Sequence, residues 1–252
     1  MNQCLDALRG SFDDANVINQ RENRIVIRWR RAETGDSIII KMWSRPDLNG
    51  RLRRLLGIAA CNHEWRNLVR MSDFGIVVPR PLGLFRAVPS VAGYTDVLFM
   101  EDLGKCESAT EHLKRLIRAG QEPQALSFEN VQIEMTAQML EAGMLDVDHG
   151  MHNIVVQLSG RPVKLDVELG RRVIWPRLFP AMYGHMLGRM VGMHAFAVQP
   201  HVGRTTRFAE RLAERLTPPP RVLKRAGIHA REMMRKQLQE TGIDTRLIQL
   251  WD

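Results

Sequence analysis

Strand-forming residues crowd into the first hundred positions of this chain, and that asymmetry most constrains its fold. "RIVIRWRRA" (24–32) and "DSIIIKMW" (36–43) are β-branched runs separated by "ETG", the pattern of an antiparallel hairpin. From about Leu48 to Met71 apolar residues recur at helical spacing, with Leu52, Leu55, Leu56, Ala59, Ala60 and Leu68 forming one stripe. "SDFG" and then "VPRP" end that helix, because Pro79 and Pro81 cannot continue it. "TDVLFM" (95–100) is one more strand, and polar "EDLGK" follows it.

Beyond that point the pattern turns helical. "SATE" (108–111) has the form of a capping box and opens a helix running to about Arg118. Ser127 is expected to cap another helix, with Val131, Met135, Met139 and Ala142 sharing a face and Gly143 ending the run. A short hairpin comes next, "NIVVQL", "SGRP" and "VKLDV", and residues 178–252 are mostly helix broken by "TPPPR" at 217–221. The expected organisation is an α+β chain with two parts. Residues 1–102 form an N-terminal antiparallel β-rich lobe with one helix, and residues 103–252 form a helical lobe holding the hairpin.

Composition narrows the class. A chain of 252 residues, 44% apolar and 25% charged, is an ordinary soluble globular protein with enough length to bury a core. Its three cysteines (Cys4, Cys61, Cys106) lie far apart, with no disulfide framework and no CxxC knuckle, so a reducing compartment is expected. The first twenty residues carry Asp6, Arg9, Asp13 and Asp14 and no apolar run, which argues against a secretory signal. The stretch 178–198 has the length of a spanning helix. Arg189 near its centre is costly in lipid, so a helix buried in protein is expected instead. The net charge of +8 is dominated by arginine, dense in "RLRRLL" (51–56) and again from Arg161 to Lys236. Such residues either solvate helix faces or attract the phosphates of nucleotides, nucleic acids or lipid headgroups, and charge alone does not choose.

The stretch "DVDHGMHNIVVQL" (146–158) carries the chemistry. One reading is a metal cage of His149, His152, Asp146 and Asp148, since both residue types bind zinc. The other is phosphotransfer, which asks for a carboxylate to orient an acceptor hydroxyl, oxygen ligands for Mg²⁺, and a lysine on the phosphates held by a carboxylate. Asp148 precedes Asn153 by five residues, the spacing of base and metal-binding Asn in protein-kinase-like catalytic loops. The strands after Asn153 form a hairpin that returns Asp166 to the same end, so Asn153 and Asp166 are expected to share a cation. On the other side, Lys41 alone interrupts the apolar strand "SIIIKMW". It either snorkels from an edge strand or pairs with Glu64, the lone carboxylate on the Ala60/Leu68 face of the next helix. Each element is weak alone; the order strand Lys, helix Glu, hinge, Asp, Asn, Asp is what carries the reading. The histidines of the stretch are expected to be bystanders.

On these residues the chain resembles the lipopolysaccharide core kinases of Gram-negative bacteria, Kdo and heptose kinases with a protein-kinase-like fold. The resemblance covers roughly residues 24–175. It rests on "IIIKMW", "HEWRNLVRMSDFGIVVPRPLGL", "VLFMEDL" and "DVDHGMHNIVV…VKLDVELG". It implies Asp148 as the base, Asn153 and Asp166 as Mg²⁺ ligands, and Lys41 with Glu64 steadying the ATP phosphates. Met100, Glu101 and Leu103 would line the adenine pocket. The implied cofactors are ATP and Mg²⁺, and the implied acceptor is a sugar hydroxyl of the lipopolysaccharide inner core. The implied location is cytoplasmic, with peripheral contact at an anionic inner membrane; no nucleic acid partner is expected. The chain departs from the family in Asp146, where a histidine is usual, in His149, and in "DVE" in place of "DFD" or "DFG". No G-x-G-x-x-G precedes Lys41, and Gly10 in "LRGSF" stands nearly alone. Three alternatives stay open: a kinase of another small molecule or of protein, a pseudokinase binding module, and a histidine-ligated metal hydrolase. The short segment after Gly170, with no APE-like end, argues against a regulated protein kinase.

Overall fold

The computed structural model describes residues 16–30, 35–44, 52–53, 56, 59–91, 94–238 and 250–251. Gly10 and the expected helix start near Leu48 lie outside the described residues. The chain divides into two compact units, one of residues 1–72 and 78–104, the other of residues 73–77 and 105–252.

The first unit is an antiparallel sheet of five strands in the order β1-β2-β3-β5-β4. These are β1 (Asn16–Arg21), β2 (Arg24–Arg30), β3 (Ser37–Trp43), β4 (Pro81–Val91) and β5 (Tyr94–Glu101). The two β-branched runs pair as β2 and β3, in a register that sets Ile27 against Ile40 and Val26 against Lys41. Side chains alternate across a strand, so Ile40 and Met42 lie on one face with Ile27, Val97 and Phe99, an apolar cluster fully shielded from water. Phe85 meets Phe99 edge-on at 5.4 Å, the arrangement that ring quadrupoles favour. Lys41 therefore belongs to the other face. β3 is the central strand, with β2 on one side and β5 on the other, so the alternative of Lys41 snorkelling from an edge does not arise. Helix α1 (Ala60–Asp73) turns Glu64 and Leu68 inward and is closed by Gly75 at φ +75°.

In the second unit, α2 (Ala109–Arg118) begins as its capping box dictates: the Ser108 hydroxyl accepts from the Glu111 N–H at 3.2 Å. Helix α3 (Glu122–Glu141) corrects the expectation at Ser127. It starts five residues earlier, with proline in its first turn, and encloses Ser127 in its interior. Pro123 is tolerated there because the first N–H groups of a helix have no partner to lose. Val131 is exposed while Met135, Met139 and Ala142 are buried, so the inward face is narrower than the pattern implied. Gly143, at φ +67°, ends the run.

The hairpin follows. β7 (Met144–Asp146) pairs antiparallel with β10 (Gly170–Arg172), and β8 (Ile154–Gln157) lies between β6 (Cys106–Ser108) and β9 (Pro162–Lys164). The Lys164 N–H donates to the Val77 carbonyl at 2.8 Å, which ties residues 73–77 to this unit. Three helices complete it: α4 (Pro180–Ala197), α5 (Val202–Leu216) and α6 (Pro220–Leu238). α4 is the apolar stretch with Arg189 near its middle. Met186, Leu187, Met190 and Val191 are fully buried in protein, and no described helix is long and apolar enough to cross a membrane. α4 lies close against α6 because Gly184, Gly188 and Gly192 recur every fourth residue. A Cβ on Gly188 would come within 2.6 Å of the Ala226 carbonyl oxygen.

Candidate active site

Lys41 and Glu64 meet within the first unit. The Lys41 ammonium donates to Glu64 Oε1 at 2.7 Å and lies 2.6 Å from Oε2. Lys41 is 4% and Glu64 2% exposed. A lone charge at such depth is strongly unfavourable, so each requires the other. The same ammonium sits 5.4 Å from the centre of the Trp43 ring, a further cation–π contact.

The segment expected to be the hinge is fixed locally. Met100 is buried opposite Ile39, and the Glu101 N–H donates to the Arg80 carbonyl at 3.0 Å. Leu103 is half-buried. Asp102, which no sequence pattern singled out, anchors the turn. It accepts from the Ser37 hydroxyl at 2.5 Å and the Gly104 N–H at 3.0 Å, and it pairs with Arg28 at 2.8 Å. Burial opposes the charge on Asp102, but these donors outweigh it and hold the carboxyl below its usual range.

In the second unit the catalytic-loop candidates are arranged around Asp146. Its Oδ1 accepts from the Asp148 N–H at 2.9 Å, and its Oδ2 lies 2.9 Å from the Lys164 ammonium, both side chains fully buried. Asp146 therefore works with Lys164 to clamp the backbone just ahead of Asp148. Lys164 is the last residue of β9, so the clamp also ties the loop to the hairpin.

The Asn153 amide nitrogen donates to both the Asp148 carbonyl and its Oδ2, at 3.0 and 2.9 Å. Both amide hydrogens are used inward, leaving the amide oxygen available to a cation. The register of β8 with β9 sets Ile154 opposite Lys164, and the Leu165 N–H donates to the Asn153 carbonyl at 2.7 Å. This ladder brings Asp166 beside Asn153, as the hairpin argument expected. Asp166 takes φ +47°, a left-handed conformation uncommon outside glycine and concentrated at functional sites. A carboxylate oxygen of Asp166 lies within 4.8 Å of one of Glu168. Two carboxylates and an amide oxygen are the hard oxygen donors that Mg²⁺ prefers, so the donor set fits that ion.

Two residues at Asp148 were misjudged or missed by sequence reasoning. His152 is no bystander: its Nε2 lies 3.4 Å from Asp148 Oδ1. Arg189, weighed only as a charge inside an apolar helix, reaches from α4 to 2.5 Å from the same oxygen. Half-burial alone would raise the Asp148 pKa, but His152, Arg189 and Asn153 together hold it down at about 2. Asp148 is therefore ionised throughout the physiological range. The signal that could have exposed Arg189 was its cost: a charge on an apolar helix implies a partner.

His149 behaves as expected of a core histidine. It is fully buried, with Nε2 2.9 Å from the Thr136 hydroxyl, and the Thr136 hydroxyl itself donates to the Gln132 carbonyl. Burial first, then the charges of Lys164 and His152, push its pKa well below 6.5, so the ring is neutral. Among the described residues no cluster of three metal-ligating side chains contains a histidine, which removes the support for the zinc cage.

The α+β fold holds a central-strand lysine paired with a helix glutamate in its first unit, and an Asp–Asn loop followed by a hairpin aspartate in its second. The chain belongs to the lipopolysaccharide kinase (Kdo/WaaP) family, whose pattern it matches over residues 16–175. As a member of that kinase family it uses ATP.

Among solved structures it is similar to WaaP in complex with acyl carrier protein, with a TM-score of 0.63 and 15% identity over 94% of this chain and 91% of that one. It is also similar to WbdD crystallised with the kinase inhibitor LY294002, with a TM-score of 0.47 and 13% identity over 90% of this chain and 47% of that one. No curated protein matches the chain.

Proposed function

We propose that the protein phosphorylates a sugar hydroxyl, on Kdo or heptose, of the lipopolysaccharide inner core, using ATP with Mg²⁺ at the cytoplasmic face of the inner membrane. The observation that carries this reading is the convergence of Asn153 on Asp148, which gives an ionised carboxylate a fixed orientation beside an amide oxygen free for a cation. Asp148 accepts the hydrogen bond of the acceptor hydroxyl and takes its proton as the new O–P bond forms. The bond from the γ-phosphorus to the bridging oxygen breaks, and ADP leaves. Asn153 and Asp166 would hold Mg²⁺, which would supply neutralisation of charge on the phosphates. Lys41, fixed by Glu64, binds those phosphates, and Met100, Glu101 and Leu103 receive the adenine. Arginine-rich surfaces and a net charge of +8 suit an acceptor that carries carboxylates and phosphates. The test is transfer of labelled phosphate from ATP to core-bearing lipid A acceptors lacking individual phosphates. Wild-type protein should label one acceptor. Full transfer by Asp148→Ala would remove the assigned role, since loss of a general base lowers rate by about 10²–10⁴-fold.

A further inference from the structure

Ile174, Trp175, Leu178 and Phe179 place four large apolar side chains on the surface within six positions, 79, 64, 60 and 45% exposed. Single exposed apolar residues are ordinary, whereas a contiguous group marks a surface that meets something. Two of the four share one surface. Trp175 and Leu178 border an open cleft of about 780 Å³ whose other apolar walls are Ala137, Leu140 and Leu216. It is also held in place. Before it, Arg171 and Arg172 pair with Leu145 and Met144, and the Val173 N–H donates to the Gly143 carbonyl at 2.7 Å. Within it, the Leu178 and Phe179 N–H groups donate back to Trp175 and Pro176.

The charge along the segment itself has one sign, and Glu141, which also lines the cleft, is paired with Arg215 at 3.4 Å. Arg171, Arg172 and Arg177 are exposed, and among the described residues none of them is in an ion pair. Arg221 joins them, donating to the Arg177 carbonyl at 3.1 Å. No acidic residue occurs between Glu168 and Glu210. Aromatic and aliphatic side chains interleaved with guanidinium groups complement a surface that is anionic outside and apolar just beneath. That is the interface of a bilayer containing acidic lipids.

We propose that residues 171–179 form a shallow docking wedge for an anionic lipid leaflet. The inference rests on the lipid-borne acceptor proposed above and supplies the surface that would present it. β10 is paired to β7, whose last residue, Asp146, holds the Asp148 backbone. The wedge and the candidate base are therefore joined through one two-stranded ladder. A leaflet engaged by the wedge fixes the depth at which Asp148 meets the headgroup region.

The test is co-sedimentation of the full chain with vesicles of phosphatidylethanolamine and phosphatidylglycerol, against vesicles of phosphatidylcholine alone. Wild-type protein should pellet with the anionic vesicles and be released by salt. Ile174→Ser/Leu178→Ser and Arg171→Ala/Arg172→Ala/Arg177→Ala should each weaken partitioning by about tenfold or more. Both should retain the wild-type melting temperature and transfer to a delipidated, water-soluble core acceptor. Equal binding by wild type and both variants would overturn the wedge, as would retention on vesicles only after an acidic protein is added. Transfer to soluble acceptor without vesicle binding would overturn the wedge alone. Vesicle binding without any phosphate transfer would overturn the kinase reading and leave the wedge standing.

Discussion

Arg189 of α4 holds its guanidinium 2.5 Å from Asp148 Oδ1. This contact joins the apolar helix of the second unit to the candidate base and contributes, after His152, to keeping that base ionised. The Asp148 pKa is held at about 2 by His152, Arg189 and Asn153 against burial. Removing Arg189 removes a cation that favours the ionised form, so the pKa must rise. Because the base acts ionised, the acid limb of kcat/KM should move to higher pH in Arg189→Met, with the plateau near neutrality less affected. A pH–rate profile reads this directly, and an unchanged acid limb would show that Asp148 does not titrate in the reaction.

Asn153 and Asp166 are predicted to act through the cation. Asn153→Ala and Asp166→Ala should raise the Mg²⁺ concentration needed for half-maximal transfer and lower kcat, by about 10²-fold or more for Asp166. Titrating Mg²⁺ at saturating ATP measures the effect. Wild-type Mg²⁺ dependence in both variants would exclude these ligands.

Lys41 and Glu64 make a thermodynamic prediction separate from catalysis. Lys41→Met takes the ammonium away from the buried Glu64 carboxylate and should destabilise the first unit by about 3–5 kcal/mol. Lys41→Met/Glu64→Met removes both charges and should recover most of that loss, while phosphate transfer stays abolished. Urea denaturation of the single and double variants, beside an activity assay, separates the two effects.

Gly188 sits where α4 passes closest to α6. An alanine there would press its methyl group to 2.6 Å from the Ala226 carbonyl oxygen and 2.9 Å from the His229 Cβ. Gly188→Ala should therefore lower stability by about 1–3 kcal/mol despite alanine's better helix propensity. Thermal unfolding would show it, and a stabilised variant would mean the helices separate without loss.

Glu129 links the second unit's stability to acid. Its carboxylate is 1% exposed and bonds His194, Arg204 and Arg211. Burial opposes the charge, yet these donors lower its pKa from the usual 4.5 to about 2. The folded value lies below the unfolded one, so the stabilisation is complete above about pH 4.5 and fades as pH falls toward 2. Glu129→Gln should flatten the loss of stability over that window. An unchanged acid-denaturation slope would contradict the assignment.

Local pattern determined a good deal of this protein. The β2–β3 pairing, the Ser108 cap, the Gly143 stop and the hairpin beside Asn153 all follow from alternation, capping chemistry and turn residues, which act over a few positions. The spacing of Asp148 and Asn153, with Asp166 across the hairpin, made the geometry of the candidate loop legible for the same reason. Tertiary structure decided what depends on distant chain. It placed Lys41 on a central strand, because strand order is set by β5, which arrives much later in the chain. It buried Asp146 against Lys164, brought Arg189 from α4 onto Asp148, and left Ile174 and Trp175 in water. Propensity and periodicity report which side of an element is apolar, but a charge buried against a partner far along the chain leaves no local trace. The same holds for an apolar run left uncovered, because only the packing of the other elements determines what covers it.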